Sequence, residues 1–549
     1  MKKFLTLILA VGMAFICDYT EAAEPEGGLP PLQEDETQLS SVGKVYVNKF
    51  RLEGNTVFSN EELGQLLAPY ENREITAEEM QEAKNRVTRF YIDNGYVNSG
   101  AVIPDQKLEN GIITIRIVEG WLSRTEISGN TWLRTGYISK RLELATDADK
   151  GPLNIITLQE RLKLVKQDPR IENITANLGP GLEPGEAILN VEVDESRPYH
   201  LTLTFNNHNS PGIGAYRGEI GIRHINLTGW GDALSANYGL SEGLDDYSVN
   251  YTIPLTRWDT TLAFDFDRSE SEVVADPFKQ LNIASKTNTY SVSLRHPFYK
   301  TLSKKFSMGL TLEKRKSETF LLDDRFSFAE GTETDIPGES EISVLRFSQE
   351  WVDRTLTQVI AARSTFGFGL DMMDATINEG DVADGRFITW LGQFQWLRRI
   401  SFLNSQILFR TDLRLSDDPL LPMEKFSIGG ASTVRGYREN QLTTDNGVIS
   451  SFELRIPLVQ LKIPGLSKGQ NDGFLHLGPF FDFAQGWNTD RPDPSPDSIS
   501  SVGLGLRWSI SSKILAEVYW GYGLRDIDNS GEHDLQDEGV HFQISAELF

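Results

Sequence analysis

The stretch Phe306-Ser307-Met308-Gly309-Leu310-Thr311-Leu312-Glu313 places Phe, Met and two Leu at every second position, with small, polar and acidic residues between them. Successive side chains of a strand point to opposite faces, so this segment has one apolar face and one polar face. The pattern recurs on both sides of it. Tyr247, Val249, Tyr251, Ile253 and Leu255 form one apolar row, and Leu262, Phe264 and Phe266 stand opposite Asp265 and Asp267. Further on, Ile388, Trp390, Phe394 and Trp396 oppose Thr389, Gln393 and Gln395, while Ile407, Phe409 and Leu413 oppose Arg410, Asp412 and Arg414. Val502, Leu504, Leu506 and Trp508 oppose Gly503, Gly505 and Arg507. Aromatics on one face and charge on the other, over strands of about ten residues, is the pattern that lipid outside and water inside select.

A soluble β-sandwich also alternates, but here compact connections (Leu255 to Thr260, Ser509 to Lys513) alternate with long ones. The long ones run from Ser269 to Thr289, Lys316 to Glu341, Ser416 to Gly447 and Gly523 to Gly539. A last alternating segment, Val540, Phe542, Ile544, Ala546 and Leu548, runs to Phe549. Sixteen such segments, centred from near residue 204 to near 544, predict a transmembrane β-barrel of 16 antiparallel strands over residues 199–549; Arg346 breaks the alternation of its segment. An even count closes the sheet without edges and returns both ends to the side of the N-terminal half. The long connections are then expected on the far side.

The 549 residues include 53 basic and 78 acidic ones, a net charge of −25 with pI near 4.8, which argues against a nucleic-acid partner. Mean hydropathy is −0.32. Past the first twenty residues no apolar run reaches the roughly 18 to 20 residues of a membrane helix. Lys2 and Lys3, the apolar run Phe4 to Ile16 and small residues at Ala22 and Ala23 read as a secretory signal peptide over residues 1–22. Cys17 is the chain's single cysteine, and the bulky Phe15 and Ile16 before it disfavour a lipoprotein. The exported chain then has no cysteine and must draw stability from size, closure or a membrane. Residues 23–43, rich in Pro, Glu, Gly and Ser, read as a flexible arm.

Glu53-Gly54-Asn55-Thr56-Val57-Phe58 returns as Ser128-Gly129-Asn130-Thr131-Trp132-Leu133, and Ile115-Arg116-Ile117-Val118-Glu119 as Val191-Glu192-Val193-Asp194-Glu195. Two α+β modules therefore stand in tandem, over residues 44–120 and 121–198. In the first, Val45 to Leu52 suits a strand and Asn60 to Ala68 and Ala77 to Asn94 suit helices. The second helix aligns Met80, Ala83, Val87, Phe90 and Tyr91 on one face. Ala101 to Leu108 and Gly111 to Val118 read as a hairpin. Exposed edges of such sheets can take up an extended peptide by strand addition.

The connection at residues 416–447 contains Val434, Arg435, Gly436 and Tyr437. With this loop, the tandem modules, the Ala101-Val102-Ile103-Pro104-Asp105-Gln106 strand, the Asn226-Leu227-Thr228-Gly229-Trp230-Gly231-Asp232 turn and a C-terminal aromatic, the chain resembles the two-partner secretion transporters. These are outer-membrane proteins that export haemolysins and filamentous adhesins, and their modules are called POTRA domains. The resemblance covers essentially the whole exported chain. It implies that residues 416–447 fold back into the lumen, where Arg435 meets an aspartate on the wall. That aspartate is Asp482, in Phe480-Phe481-Asp482-Phe483-Ala484, with Ala484 where the family has glycine. The alternation agrees: Leu475, Leu477, Phe481 and Phe483 form the apolar face and send Phe480, Asp482 and Ala484 inward. The competing reading makes Arg435 a solvated loop residue.

The resemblance further implies a POTRA strand motif at Ala101, Ile103, Pro104 and Gln106, and an assembly signal at Phe549, although strict alternation sets Phe549 with Glu547. It implies a secreted exoprotein partner with an N-terminal secretion domain, contact with outer-membrane lipid, insertion by the barrel-assembly machinery, POTRA modules in the periplasm, and 23–43 as a possible plug. Rival classes are an insertase of the same superfamily, which commonly carries more modules, a porin, and a hydrolase. Gly465-Leu466-Ser467-Lys468-Gly469 matches a nucleophile string but lacks the helix that should follow it. The acidic stretch from Asp526 to Asp537 spaces oxygens like a calcium loop, yet strands flank it and a solvated surface loop is the expectation. The seven histidines show no ligand spacing, and no metal, cofactor or catalytic residue is indicated.

Overall fold

The computed structural model describes residues 44–106, 110–145, 151–328, 336–380, 382–529 and 533–549. The signal peptide and arm read at 1–43 lie outside those residues. The first module runs β1 (Val45–Val47), β2 (Lys49–Glu53), α1 (Asn60–Leu67), β3 (Arg73–Ile75), α2 (Ala77–Asp93), β4 (Gly100–Val102), β5 (Ile112–Val118). Capping boxes start both helices: Ser59 and Glu62 for α1, Thr76 and Glu79 for α2. Ala83, Val87 and Tyr91 of α2 are buried, and Met80 and Phe90 pack against the same core. That core rests on Ile113, Ile115 and Ile117 of β5.

Two features differ from the sequence reading. The strand expected over Val45 to Leu52 divides at Asn48, because β1 pairs with β3 while β2 pairs parallel to β5. The hairpin arm expected from Ala101 to Leu108 is only three residues long as a strand. Pro104 has no N–H to donate to the ladder. The Gln106 side-chain amide takes that place instead: Nε2 donates to Thr114 O (2.9 Å) and Thr114 N donates to Oε1 (2.7 Å).

The second module, β6 (Trp121–Ser128), α3 (Thr135–Leu142), α4 (Ile155–Lys166), β7 (Ile171–Pro180) and β8 (Glu186–Glu195), repeats the plan. Its sheet order β6-β8-β7 matches β2-β5-β4 of the first.

Then come β9 (Tyr199–Asn206), β10 (Arg217–His224), β11 (Ala233–Ser241), β12 (Leu244–Pro254), β13 (Thr261–Glu272), β14 (Ala284–Lys300), β15 (Lys304–Leu321) and the two-residue β16 (Asp324–Arg325). They are followed by β17 (Glu339–Arg354), β18 (Gln358–Leu370), β19 (Ile388–Arg399), β20 (Gln406–Ser416), β21 (Phe426–Ile428) and β22 (Leu442–Thr444). The last are β23 (Asn446–Gln460), β24 (Phe474–Trp487), β25 (Ser498–Ser511), β26 (Ile514–Gly523) and β27 (Val540–Glu547). Excluding β16, β21 and β22, these form a closed, 16-stranded antiparallel barrel in which β27 pairs with β9. Phe264, Leu310, Phe452, Phe481 and Leu504 are exposed on the outer face, as lipid contact requires. The four long connections singled out in the sequence do lie at the far end. Residues 461–473, however, form a long connection at the near end, organised by Ser467 and Asp472.

Arg346, expected to break its segment's alternation, keeps the lumenal phase and donates to Glu313 and Glu424; the residues that depart from the pattern are apolar ones inside. On the lumenal face of β17, Ile342 and Val344 are buried with Leu420 and Leu421 of the connection that follows β20. This wall is apolar inside because protein, not water, covers it.

The repeated strings of the two modules make one clasp twice. Gly54 (φ 87°) and Gly129 (φ 81°) turn in the left-handed region, where an added Cβ would strike the carbonyl of Ile117 or Val193. Asn55 Nδ2 donates to Phe58 O (2.9 Å) and Asn130 Nδ2 to Leu133 O (2.8 Å). The acid that ends each repeat then gathers the turn. Glu119 accepts Thr56 N (2.7 Å), Val57 N (2.9 Å) and the Tyr91 hydroxyl (2.7 Å). Glu195 accepts the amides of Thr131 (2.9 Å), Trp132 (2.6 Å) and Leu133 (2.6 Å). Burial pushes both carboxyls up, but these hydrogen bonds outweigh it and hold both below the usual glutamate range. A depressed folded-state pKa stabilises the fold above the unfolded pKa, and that contribution is lost as pH falls through the folded value. Glu119→Gln in the full-length protein is therefore expected to cost about 1–3 kcal/mol at neutral pH, read as faster hydrogen exchange at Thr56 and Val57. The parent and variant should converge as the solution is acidified; a gap that stays constant down to about pH 3 would contradict the clasp.

Candidate functional site: the lumenal loop and its anchors

The connection between β20 and β23 folds back into the barrel as the hairpin β21–β22, with Phe426 opposite Thr444 and Ile428 opposite Leu442. Ile428, Val434, Tyr437 and Leu442 are buried against Ile449, Ala484 and Ile499 of the wall. Ala484 is fully buried there, so the methyl group that replaces the family's glycine fills the cluster. Gly436 (φ 96°) passes so close to β26 that a Cβ would lie 2.8 Å from the Gly521 carbonyl. The Tyr437 hydroxyl donates to Ser500 O (3.0 Å).

Arg435 stands at the centre. Phe480 (5% exposed), Asp482 (0%) and Ala484 (0%) face inward, while Phe481 (45%) faces out. Arg435 Nε and Nη2 donate to the two oxygens of Asp482 at 2.8 and 2.9 Å, the planar fork that arginine alone supplies. Its backbone N–H donates to the same carboxylate (3.1 Å). Nη1 donates to Glu453 (2.6 Å), which also accepts from Arg455 (2.7 Å). Ser451 donates to Asp482 (2.6 Å). The guanidinium carbon lies 3.6 Å from the Phe480 ring centroid and 4.8 Å from that of Tyr519. Two arginines and two carboxylates leave the cluster neutral.

Two further anchors hold the loop. Glu424, at its root, accepts from Arg346 (2.6 Å) and Arg414 (3.2 Å) and lies 3.5 Å from Arg315. Arg438 donates from Nε and Nη2 to the two oxygens of Asp537, both at 2.6 Å. Asp537 is therefore a partner of the lumenal loop, which corrects the expectation of a solvated acidic surface loop at that residue, while Asp526 and Asp528 are exposed as expected. Residues 530–532 of that stretch lie outside the described residues. Among the described residues no group of three or more His, Cys, Asp or Glu is placed to hold a metal. Ser467 Oγ is engaged in its turn, donating to Ile510 O (2.6 Å) and accepting from Ile463 N (2.9 Å).

The other motif residues are dispersed. Ala101 is buried in the first module, Ile103 packs against the same core, and Pro104 and Gln106 end β4 as described. Phe549 lies beyond the last ladder pair, 42% exposed, with its ring 6.0 Å from Tyr199 on the outer face. The chain thus leaves strict alternation after Glu547, whose side chain meets His200 (3.0 Å). The turn at 226–232 receives α3: Arg134 N donates to Gly229 O (2.9 Å), and Arg134 lies over the Trp230 ring. Glu424, Glu453, Arg455 and Tyr519 were not singled out from sequence, and Asp537 was noticed only as the end of an acidic stretch, not as a partner of the loop. Glu453 and Arg455 do share the inward phase opposite the exposed Phe452, which was the available signal.

A closed barrel in lipid, a returning loop pinned in its lumen and modules before it define an outer-membrane polypeptide-translocating barrel. The model of the haemolysin secretion/activation proteins ShlB/FhaC/HecB matches residues 185–508, more than half of the chain, and the ShlB-type POTRA model matches residues 45–120. The chain belongs to that family. It is 21% identical over 488 residues to the heme/hemopexin transporter protein HuxB of Haemophilus influenzae, covering 86% of this chain and 83% of that one. It is 21% identical to the outer membrane transporter CdiB of Dickeya dadantii, covering 76% and 74%. The solved structure of CdiB from Escherichia coli superposes with a TM-score of 0.68 at 18% identity, covering 100% of this chain and 97% of that one. The chain is accordingly an outer-membrane transporter of the two-partner secretion type, with its POTRA modules in the periplasm, and not an enzyme.

Removing Asp482 strands Arg435 and part of its network, a loss of about 3–5 kcal/mol for a buried pair. With Cys17 the only native cysteine, Val434→Cys gives a clean probe. It should resist maleimide in the parent, where Val434 is 0% exposed, and react when Asp482→Ala is added. Equal protection in both would mean that the ion pair does not hold the loop.

Proposed function

We propose that the chain takes an unfolded exoprotein in the periplasm by its N-terminal secretion domain and conducts it outward without ATP, with loop 416–447 as the part that must yield. Arg435 held on Asp482 is the observation that supports this reading. A neutral cluster keeps the loop in one place, yet each hydrogen-bonding partner of Arg435 is a polar group that a hydrated pore can solvate when the loop moves. Capture proceeds by strand addition at a module edge, and folding outside makes the step irreversible. Lipid contact falls to the outward aromatic rows, and Phe549, on the outer face, serves recognition by the assembly machinery during insertion.

Deleting the chain should remove one protein from the culture medium while leaving the other outer-membrane proteins at their normal levels; a general loss would favour an insertase instead. Restoring the deletion with Arg435→Ala should give an inserted barrel and little or no secretion. Normal secretion by that variant would refute the role of the pair.

A further inference from the structure

At the near mouth of the barrel, a cavity of about 300 Å³ lies between α4 and the turn after it on one side and the rims of β12 to β15 on the other. Its wall residues face the lumen. Thr252 alternates with the outward Tyr251, Thr261 pairs directly with Arg295, and Pro297 pairs with Ser307. In a chain of net charge −25, this cavity is lined by seven cations and two carboxylates.

Four of the cations are accounted for. Asp259 is shared by Arg141 (2.8 Å) and Lys300 (2.6 Å), Asp168 pairs with Arg170 (2.9 Å), and Arg295 pairs with Glu350. Arg161 on α4, Arg257 on the turn after β12 and Lys305 on β15 form no ion pair among the described residues; Glu350 and Asp259 attract Lys305 from farther off, but each is already held by another cation, and Arg295 and Lys300 repel it. Three positive groups converging on one partly enclosed space repel one another, and an anion between them removes that repulsion. The floor is lumenal, so lipid does not reach it from the bilayer, and what passes here in a transporter is polypeptide.

We propose that this basic vestibule binds acidic side chains of an extended polypeptide at the entrance of the pore. The inference rests on the transporter reading and adds the chemistry that the passing chain must offer. Arg161, Arg257 and Lys305 supply the charge. Arg141, Arg170 and Arg295, already paired, shape the site. Aspartate or glutamate, held in turn by separate cations, keeps the chain extended and lets it advance by exchange of one carboxylate for the next.

The test uses the full-length protein in lipid nanodiscs and a short fluorescein-labelled Asp-Ser repeat peptide, with an Asn-Ser repeat as control. The acidic peptide should bind, weaken steeply as salt rises to about 0.5 M, and lose about tenfold or more in affinity with Arg161→Gln, Arg257→Gln and Lys305→Gln combined. The charge-keeping variant (Arg161→Lys, Arg257→Lys, Lys305→Arg) should retain binding, which separates charge from folding. Unchanged affinity in the Gln variant, or equal binding of the Asn-Ser peptide, overturns the proposal. Secretion by the deletion strain separates the two readings. If the parent restores the missing exoprotein and the Gln variant binds peptide like the parent, only the vestibule fails; if the parent restores nothing, the transporter reading itself fails.

Discussion

Hydrocarbon offers a strand no hydrogen-bond partner, so each backbone N–H and C=O in the membrane must find one in a neighbouring strand. The pairing of β27 with β9 closes the sheet and meets that demand. Much else follows from closure. Sixteen strands return the C-terminus to the end where the modules precede β9. The pleat divides every strand into a lipid row and a lumenal row, and only the lumenal row can carry the charges that later build a site.

A closed barrel of this size leaves an interior too wide for wall side chains alone, and here the chain fills part of it with its own loop. The attachment is ionic at the tip (Arg435), at the root (Glu424) and at the shoulder (Arg438). Buried ion pairs add little net stability compared with apolar packing of the same volume, because desolvation offsets attraction. Their merit is positional: a bidentate guanidinium between two aromatic faces has one good geometry. A greasy plug of equal volume would slide; this one has a register, set further by Gly436 against Gly521.

The barrel strands could be read because all but the segment around Arg346 show a period of two that needs no partner to be seen. The inward phase of Asp482 was legible for the same reason. The partners were not, since Glu424 reaches Arg346 across 78 residues and Arg438 reaches Asp537 across 99, and no local pattern marks such pairs. Asp537 was obscured because an acid in a loop looks the same whether solvated or paired. Arg346 looked like a defect in its strand because the sequence does not reveal that protein, rather than water, lies over β17. The module clasp sits between these cases. The repeat showed that Gly54-Asn55-Thr56 and Glu119 belong together, but not that the acid gathers the amides of the turn.

The modules face the opposite problem from the barrel, since their sheets stay open. An open edge invites pairing with any extended chain, useful with cargo and harmful with another copy. In the first module β4 is only three residues long, Pro104 interrupts its ladder, and Gln106 covers the next place on β5 with its own amide. On the β4 edge the backbone free to pair is thereby confined to Gly100–Val102, short enough that pairing there by backbone alone is weak. A strand added at this edge would need side-chain contacts for the rest of its affinity, so any discrimination there would rest on the residues flanking the edge rather than on the backbone ladder.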